Sequence, residues 1–353
     1  MNPNSRKKPC KRTLWLIGLA VLFAGGVCRA EEGSDALTQR VDRATDLALA
    51  YLAKTQRKDG AWPSGYGPHS GVTAVAVLAF LAKGYAPGDG PYGEVVQRGV
   101  DFVIESQRPT GYLVGKVRHG GMYAHGMATL MLGEVLGQCS GEKNKRVRRA
   151  LGKAVALILN AQQVPKHERF RGGWRYNYNS RDSDLSCTGW QLLALRSAKN
   201  AGLDVPLEAI TDAVAYIKRS ESKGGGFGYQ PGGGSNLQRA GTGILALELC
   251  GEHHSPEALA AGDYILKRGI KAAGKSLFYY AVYYCSQGMF QLGGRYWDQF
   301  WPQLAEAVLA RQKADGSFAP GGGNESRAGS AYSTAMGVLA LAVQYHYLPI
   351  YQR

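Results

Sequence analysis

A repeated unit limits what this chain can fold into: an amphipathic helix, a turn that joins glycine to an aromatic residue, and a second, apolar helix. The third copy shows the unit in full, with predicted helices from Val147 to Gln163 and from Leu185 to Ala201 on either side of Gly172-Gly173-Trp174. Six copies follow one another at a spacing of about 50 residues, which is typical of arrays whose single units cannot bury their own apolar faces.

The two helices of each unit differ in where they carry charge. The helix from Val147 places Leu151 and Val155 on one face and Arg148 and Lys153 on the other, which predicts an outer position. Second helices such as those predicted over 72–81 and 328–347 contain no charged residue, and a helix that is apolar all round must be buried. The sequence therefore predicts an all-α fold, a single (α/α)6 toroid of six helix pairs. No stretch alternates with the period of two that a strand requires.

The turn motif resembles one in a known family. Gln56-x-x-x-Gly60-x-Trp62 and Gln312-x-x-x-Gly316-x-Phe318 look like the Gln-Trp repeat of squalene and oxidosqualene cyclases, and partial forms occur at Gln107 and Trp174. On these motifs the chain resembles the superfamily of terpenoid cyclases and protein prenyltransferases. The resemblance implies a central cavity that takes a long apolar ligand such as a polyisoprenoid.

The third inner helix is preceded by two acidic residues, in Asp182-Ser183-Asp184-Leu185-Ser186. This run is similar to the Asp-x-Asp-Asp-Thr motif of triterpene cyclases. The resemblance makes Asp184 the acid that protonates an alkene, assisted by Asp182, although Leu185 and Ser186 replace the last two motif residues. An aspartate directly before an apolar helix is also a preferred N-cap. Proton donation and helix capping are therefore both open for Asp184.

Aromatic residues close to the inner helices form a second candidate set. Rings that face a cavity would pack on an isoprenoid or stabilise a cation, whereas rings at helical spacing also suit a filled core. His125 could act as a base or be a hydrogen-bonded core residue. The candidate ligand contacts are Trp174, Trp190, Tyr123, His125, Tyr280, Tyr283, Tyr284 and Tyr332.

We expect no metal and no cofactor. Asp184 and Cys187 are wrongly spaced for the Asp-x-Cys zinc ligands of the prenyltransferases that the chain resembles. Beyond residue 30 the cysteines form no CxxC pair, and we expect buried free thiols at Cys139, Cys187, Cys250 and Cys285.

The expected function is binding of a long apolar ligand, with acid-catalysed isomerisation if Asp184 donates a proton. One alternative is a non-catalytic module that recognises a protein, a peptide or a glycan. A polysaccharide-active enzyme is a further alternative; its paired carboxylates would have to come from Asp182, Asp184 and Glu325.

Residues 1–30 have the layout of a secretory signal peptide. Basic residues lead into an apolar run from Leu14 to Ala24, and small residues follow up to Ala30. We expect cleavage after Ala30, a toroid over 31–353 and a secreted or periplasmic protein. Six of the 42 basic residues lie in this segment, so 36 remain against 27 acidic residues. The basic run 143–149 could contact an anionic membrane surface. No nucleic-acid-binding motif is present.

Overall fold

The computed structural model describes residues 36–115 and 120–352. The predicted signal peptide lies outside these residues. The chain divides into a short unit that ends at Arg43 and a larger unit, Ala44–Arg353. The described part of the short unit, 36–43, is helical. No helix in the described ranges is long and apolar enough to cross a membrane.

Twelve α-helices lie in the described part of the chain. Strands are absent there, apart from isolated bridges in the turns. Four short 3-10 helices cover Glu168–Phe170, Ile270–Ala273, Ala342–Tyr345 and Pro349–Tyr351. The α-helices are α1 (36–55), α2 (Ser70–Leu81), α3 (Gly93–Glu105), α4 (Gly121–Val135), α5 (Gly141–Gln162), α6 (Leu185–Asn200), α7 (Leu207–Arg219), α8 (Leu237–Leu249), α9 (Pro256–Arg268), α10 (Phe278–Leu292), α11 (Gly294–Leu309) and α12 (Asn324–Leu341).

The even-numbered helices form a closed inner ring. Each of them packs on the next, and α12 packs on α2, so the ring closes within the larger unit. The odd-numbered helices from α3 to α11 lie outside and pack on their inner partners. Every residue of α2 is buried, whereas α3 buries one face that includes Val96, Val100 and Val103. The all-α toroid predicted from the distribution of charge is therefore confirmed.

In four copies the turn between the two helices of a pair is bonded to the next outer helix by a glutamine. The Gln56 side chain donates hydrogen bonds to Gly60 O (3.0 Å) in its own turn and to Val95 O (2.9 Å) of α3. Gly60 has a φ of +84°, and a side chain there would collide with Arg98 O, so glycine is required. The same pair of hydrogen bonds recurs at Gln107, Gln162 and Gln312. The turn aromatics are buried beneath the turns; they are Trp62, Trp174, Phe227 and Phe318.

Two helices begin earlier than predicted. Helix α5 begins at Gly141 and not at Val147, so it includes the basic run. Three charges of that run are paired, Lys145 and Arg149 with Glu142 and Arg146 with Asp101. The last inner helix begins at Asn324 and not at Ala328, because a short turn precedes a break at Gly329, which has a φ of 89°. This early turn carries Glu325 to the inner ring.

Candidate ligand-binding cavity

A cavity of about 590 Å³ lies where the first turns of the six inner helices meet. We call this end of the ring the mouth end. Because every inner helix contributes to the wall, the cavity lies on the axis of the ring. One lining residue from each helix, in chain order, is Val72, Tyr123, Ser186, Gln238, Tyr280 and Tyr332.

Six tyrosines line this cavity. At its opening Tyr176 is 42% exposed, and its ring stacks on that of Tyr123 with centroids 5.9 Å apart. The Tyr176 and Tyr229 hydroxyls are in contact with each other across the opening. Tyr280 and Tyr332 are each 8% exposed and lie deeper in the wall, and Tyr66 completes the set. Such walls offer ring faces to an apolar chain or to a cation.

The buried part of the lining is mostly apolar, with the polar residues His69, Ser186, Gln238 and Glu325 among it, and the exposed part is richer in polar residues. Val72, Ala124, Met127 and Ala328 are buried lining residues on the inner helices. The exposed or half-buried lining residues include Asn177, Asn236, Arg239 and Asn324. This arrangement suits a ligand with an apolar body and a polar end.

Asp184 is the N-cap of α6. One carboxylate oxygen accepts a hydrogen bond from Cys187 N (2.9 Å), and the other lies 3.5 Å from Arg175 Nε. The side chain is fully buried, and burial raises its pKa to about 6. Asp184 does not line the cavity, although Ser186, two residues on, does. Asp182 is partly exposed and pairs with Arg175 at 2.6 Å.

Glu325 carries the one carboxyl group among the described lining residues. It is 2% exposed, and its Oε1 accepts a hydrogen bond from Tyr280 N (2.8 Å), so a residue of α12 caps the neighbouring helix α10. Its Oε2 has no hydrogen-bond partner. Burial raises the pKa of Glu325 to about 7. A pair of carboxylates across the cavity, as most glycosidases require, is not assembled from the described residues.

The sequence matches the family described as the prenyltransferase alpha-alpha toroid domain over residues 94–276 and 277–350. The chain belongs to this family. No curated protein matches the sequence. The family assignment confirms the resemblance to the terpenoid cyclase and prenyltransferase superfamily.

Solved structures resemble this prenyltransferase-type toroid along most of its length. A variant of the type II terpene cyclase MstE from Scytonema, in complex with its product merosterolic acid A, has 16% identity and a TM-score of 0.58, covering 87% of this chain and 97% of that one. A second MstE variant, with its substrate geranylgeranyl dihydroxybenzoate, has 14% identity, a TM-score of 0.55 and coverages of 89% and 99%.

A glycan-active protein is equally similar. An inactive variant of the alpha-1,6-mannanase GH76A of Salegentibacter, in complex with alpha-1,6-mannotriose, has 12% identity and a TM-score of 0.59, covering 86% of this chain and 98% of that one. At these identities the similarity shows the fold alone. The chemistry must be argued from the site.

The aromatic candidates from the sequence separate into two groups in this toroid. Tyr123, Tyr280 and Tyr332 line the cavity. Trp190, Tyr283 and Tyr284 do not; they are at most 1% exposed and lie beneath it. The Trp190 and Tyr283 rings are 5.5 Å apart and nearly parallel, and Tyr284 lies 4.9 Å from Tyr280 at the cavity floor.

Two further candidates are held by backbone groups away from the cavity. The Trp174 indole donates to Ile158 O (2.8 Å) of α5. His125 accepts from Leu113 N at Nδ1 (3.1 Å), and its Nε2 lies 3.2 Å from Ala154 O. Burial lowers the pKa of His125 to about 4, so the ring is neutral and links α4 to α5.

Three lining tyrosines and Arg239 were not predicted from the sequence. A signal for two of them exists, because Tyr176 and Tyr229 each follow the turn aromatic by two residues, after Trp174 and Phe227. The turn aromatic is buried, and the residue two positions later lies at the mouth end. Tyr66 and Arg239 show no comparable pattern.

Proposed function

We propose that this toroid binds a long apolar ligand of the isoprenoid class, with the ligand's polar end at the mouth end. The observation that carries the proposal is a central cavity whose buried lining is mostly apolar and aromatic and whose exposed lining includes asparagines and Arg239. A volume of about 590 Å³ is in the range of small-molecule sites. The MstE structures, whose fold this chain shares, hold a geranylgeranyl compound and a terpenoid acid. The signal-peptide pattern supports a site of action outside the cytoplasm.

A second candidate is acid-catalysed isomerisation of the bound isoprenoid. It is favoured by Glu325, which lines the cavity and whose raised pKa of about 7 keeps it largely protonated in mildly acidic solution. The strength of the acid argues against isomerisation, because a carboxylic acid with a raised pKa gives up its proton less readily to an alkene. Asp184, the other candidate donor, is separated from the cavity. Binding is therefore the function that the geometry supports best.

The experiment measures equilibrium binding of geranylgeraniol to the purified chain and to a variant with a blocked cavity. Ala328→Trp places a large ring in the lining, and we expect it to weaken binding at least tenfold. Ala215→Trp is the matched control, because Ala215 is exposed on the outer helix α7. Thermal melting of both variants checks that they fold.

Lipid extraction and mass spectrometry of the wild-type chain complete the test. A co-purifying isoprenoid that is absent from Ala328→Trp would support the proposal. No binding of geranylgeraniol to the wild type, or equal binding to the wild type and to Ala328→Trp, would exclude the cavity as an isoprenoid site.

A further inference from the structure

We propose that the ligand is an apolar carboxylic acid and that Arg239 binds its carboxylate. The inference rests on the proposed function, because it assigns the polar end of the ligand bound in the same cavity. It comes from the way Arg239 is held, from the absence of a carboxylate partner for its charge, and from the chemistry of the lining around it.

Arg239 lies on the first turn of α8 and lines the cavity. Its Nε donates to Phe227 O (3.3 Å) and its Nη2 to Gly234 O (2.9 Å). These two bonds hold one edge of the guanidinium against the preceding loop. A guanidinium has five N–H groups, so the edge formed by Nη1 and the second hydrogen of Nη2 is left for another acceptor. Two parallel donors of this kind match a carboxylate.

The charge of Arg239 has no acidic partner among the described residues. Its charge interacts with the hydroxyl groups of Tyr229, Tyr264 and Tyr280, and burial lowers its pKa. The one lining carboxyl among the described residues, Glu325, accepts a hydrogen bond from the first turn of α10. The cation that lowers its pKa is Arg311. A half-buried cation without a counter-charge is destabilised by lost hydration. A bound carboxylate would relieve that cost.

Other groups at the opening carry the same sign of charge. The Arg327 guanidinium lies 5.1 Å from the ring centre of Tyr66, and that of Arg175 lies 4.7 Å from the ring centre of Tyr176. Two inner helices, α4 and α12, begin without a side-chain cap, so their N-termini add positive potential. The charge of Arg175 is offset by Asp182 and Asp184, which lie 2.6 Å and 3.5 Å from it. Arg239, Arg327 and the two helix N-termini remain, and where Glu325 is protonated the opening favours an anionic ligand end over a cationic or neutral one.

The amount of positive charge favours a single carboxylate over a more highly charged group. Arg239 is the one Lys or Arg among the described lining residues. The described residues also hold no cluster of three side chains that could bind a metal ion, which a diphosphate commonly requires. The single positive charge of Arg239 would be neutralised by one carboxylate.

The test compares two probes with the same tail, geranylgeranoic acid and geranylgeraniol, at about pH 6, where the acid is ionised and Glu325 is largely protonated. We expect the wild-type chain to bind the acid at least tenfold more tightly. Arg239→Gln should remove this preference by weakening the binding of the acid. Arg239→Lys, which keeps the charge but loses the paired donors, should retain part of it.

Arg295→Gln is the matched control, since Arg295 lies on the outer helix α11 and is paired with Asp263; its preference should equal that of the wild type. Equal binding of acid and alcohol to the wild type would overturn the carboxylate assignment and leave the proposed function intact. Failure of both probes would instead reject the proposed function. Weaker binding of both probes to Arg239→Gln would overturn the assignment, as Arg239 would then only shape the loop. Tighter binding of geranylgeranyl diphosphate than of the acid would also overturn it.

Discussion

The two ends of the inner ring are built from the same six helices but differ in what fills them. At the mouth end the first helical turns surround an open cavity. At the other end, which we call the sealed end, the segment Pro349–Tyr351 packs against α6. There the Tyr351 hydroxyl lies 2.6 Å from that of Tyr283, and Gln291 donates to Tyr351 O (3.2 Å). The repeats make the ring, and a non-repeated segment decides which end can hold a ligand.

Two buried glutamates show the same contrast. Burial raises the pKa of Glu134 at the sealed end and of Glu325 at the mouth end to about 7. Both oxygens of Glu134 are bonded, one to the Ser197 hydroxyl (2.6 Å) and one to Ile350 N (3.1 Å). Glu325 has one bonded oxygen and one without a partner. Of these two carboxyl groups, the one at the closed end has a partner for each oxygen, and the one where we propose that a ligand enters does not.

Truncating the tyrosine that closes the ring should have the largest effect. Tyr351 is 4% exposed, and Tyr351→Ala removes a buried ring together with its hydroxyl bond. We expect the free energy of unfolding to fall by about 3–5 kcal/mol, which is usual for an aromatic core residue. Urea unfolding followed by circular dichroism measures it.

The matched variant at the mouth end is Tyr176→Ala, because Tyr176 is 42% exposed. It should cost less than about 1 kcal/mol of stability while weakening ligand binding. Equal losses of stability in the two variants would remove the distinction between a structural end and a binding end.

Glu134 should make the sealed end sensitive to pH. Its pKa is higher in the folded chain than in the unfolded chain, so its contribution to stability is complete below about pH 4.5 and is lost as the pH rises to 7. Glu134→Gln keeps an acceptor for Ile350 N without the ionisation. Across this range we expect the wild type to lose up to about 3 kcal/mol more than the variant. Urea titrations at several pH values measure the difference.

Glu94→Gln serves as the control, since the Glu94 side chain is 93% exposed. It should follow the wild-type pH profile. Glu325 contributes in the same direction as Glu134, so Glu134→Gln should reduce the pH dependence and not abolish it. A profile for Glu134→Gln that coincides with the wild type would show that the pKa of Glu134 is the same in the folded and the unfolded chain.

The toroid could be predicted because the features that determine it recur along the whole sequence. Uncharged helices such as α2 must be buried, the alternating helices must cover them, and the Gln-Gly-aromatic turn repeats the connection. Each copy supports the others, so an error of several residues at the start of α5 or α12 does not change the fold.

The site could be predicted only in part, because whether a residue lines the cavity depends on how far along its helix it lies. Tyr280 and Tyr284 are one helical turn apart on α10, yet only Tyr280 lines the cavity. Arg239 shows no pattern in the sequence, since its position depends on the carbonyl groups of a loop. Asp184 matched both a catalytic motif and an N-cap, and only the structure shows that the side chain caps α6.

Replacing that cap should have the smallest effect and should separate its two interpretations. Asparagine is an equally good N-cap, so Asp184→Asn should change the free energy of unfolding by less than about 1 kcal/mol, whereas Asp184→Ala should cost about 1–2 kcal/mol. Both variants should bind geranylgeraniol like the wild type, because the carboxyl group lies outside the lining. Urea unfolding and the binding assay measure the two quantities. If the wild type isomerised an isoprenoid and Asp184→Asn lost that activity while keeping its stability, the proton of Asp184 would matter more than its cap, and chemistry at the mouth end would extend beyond the cavity wall.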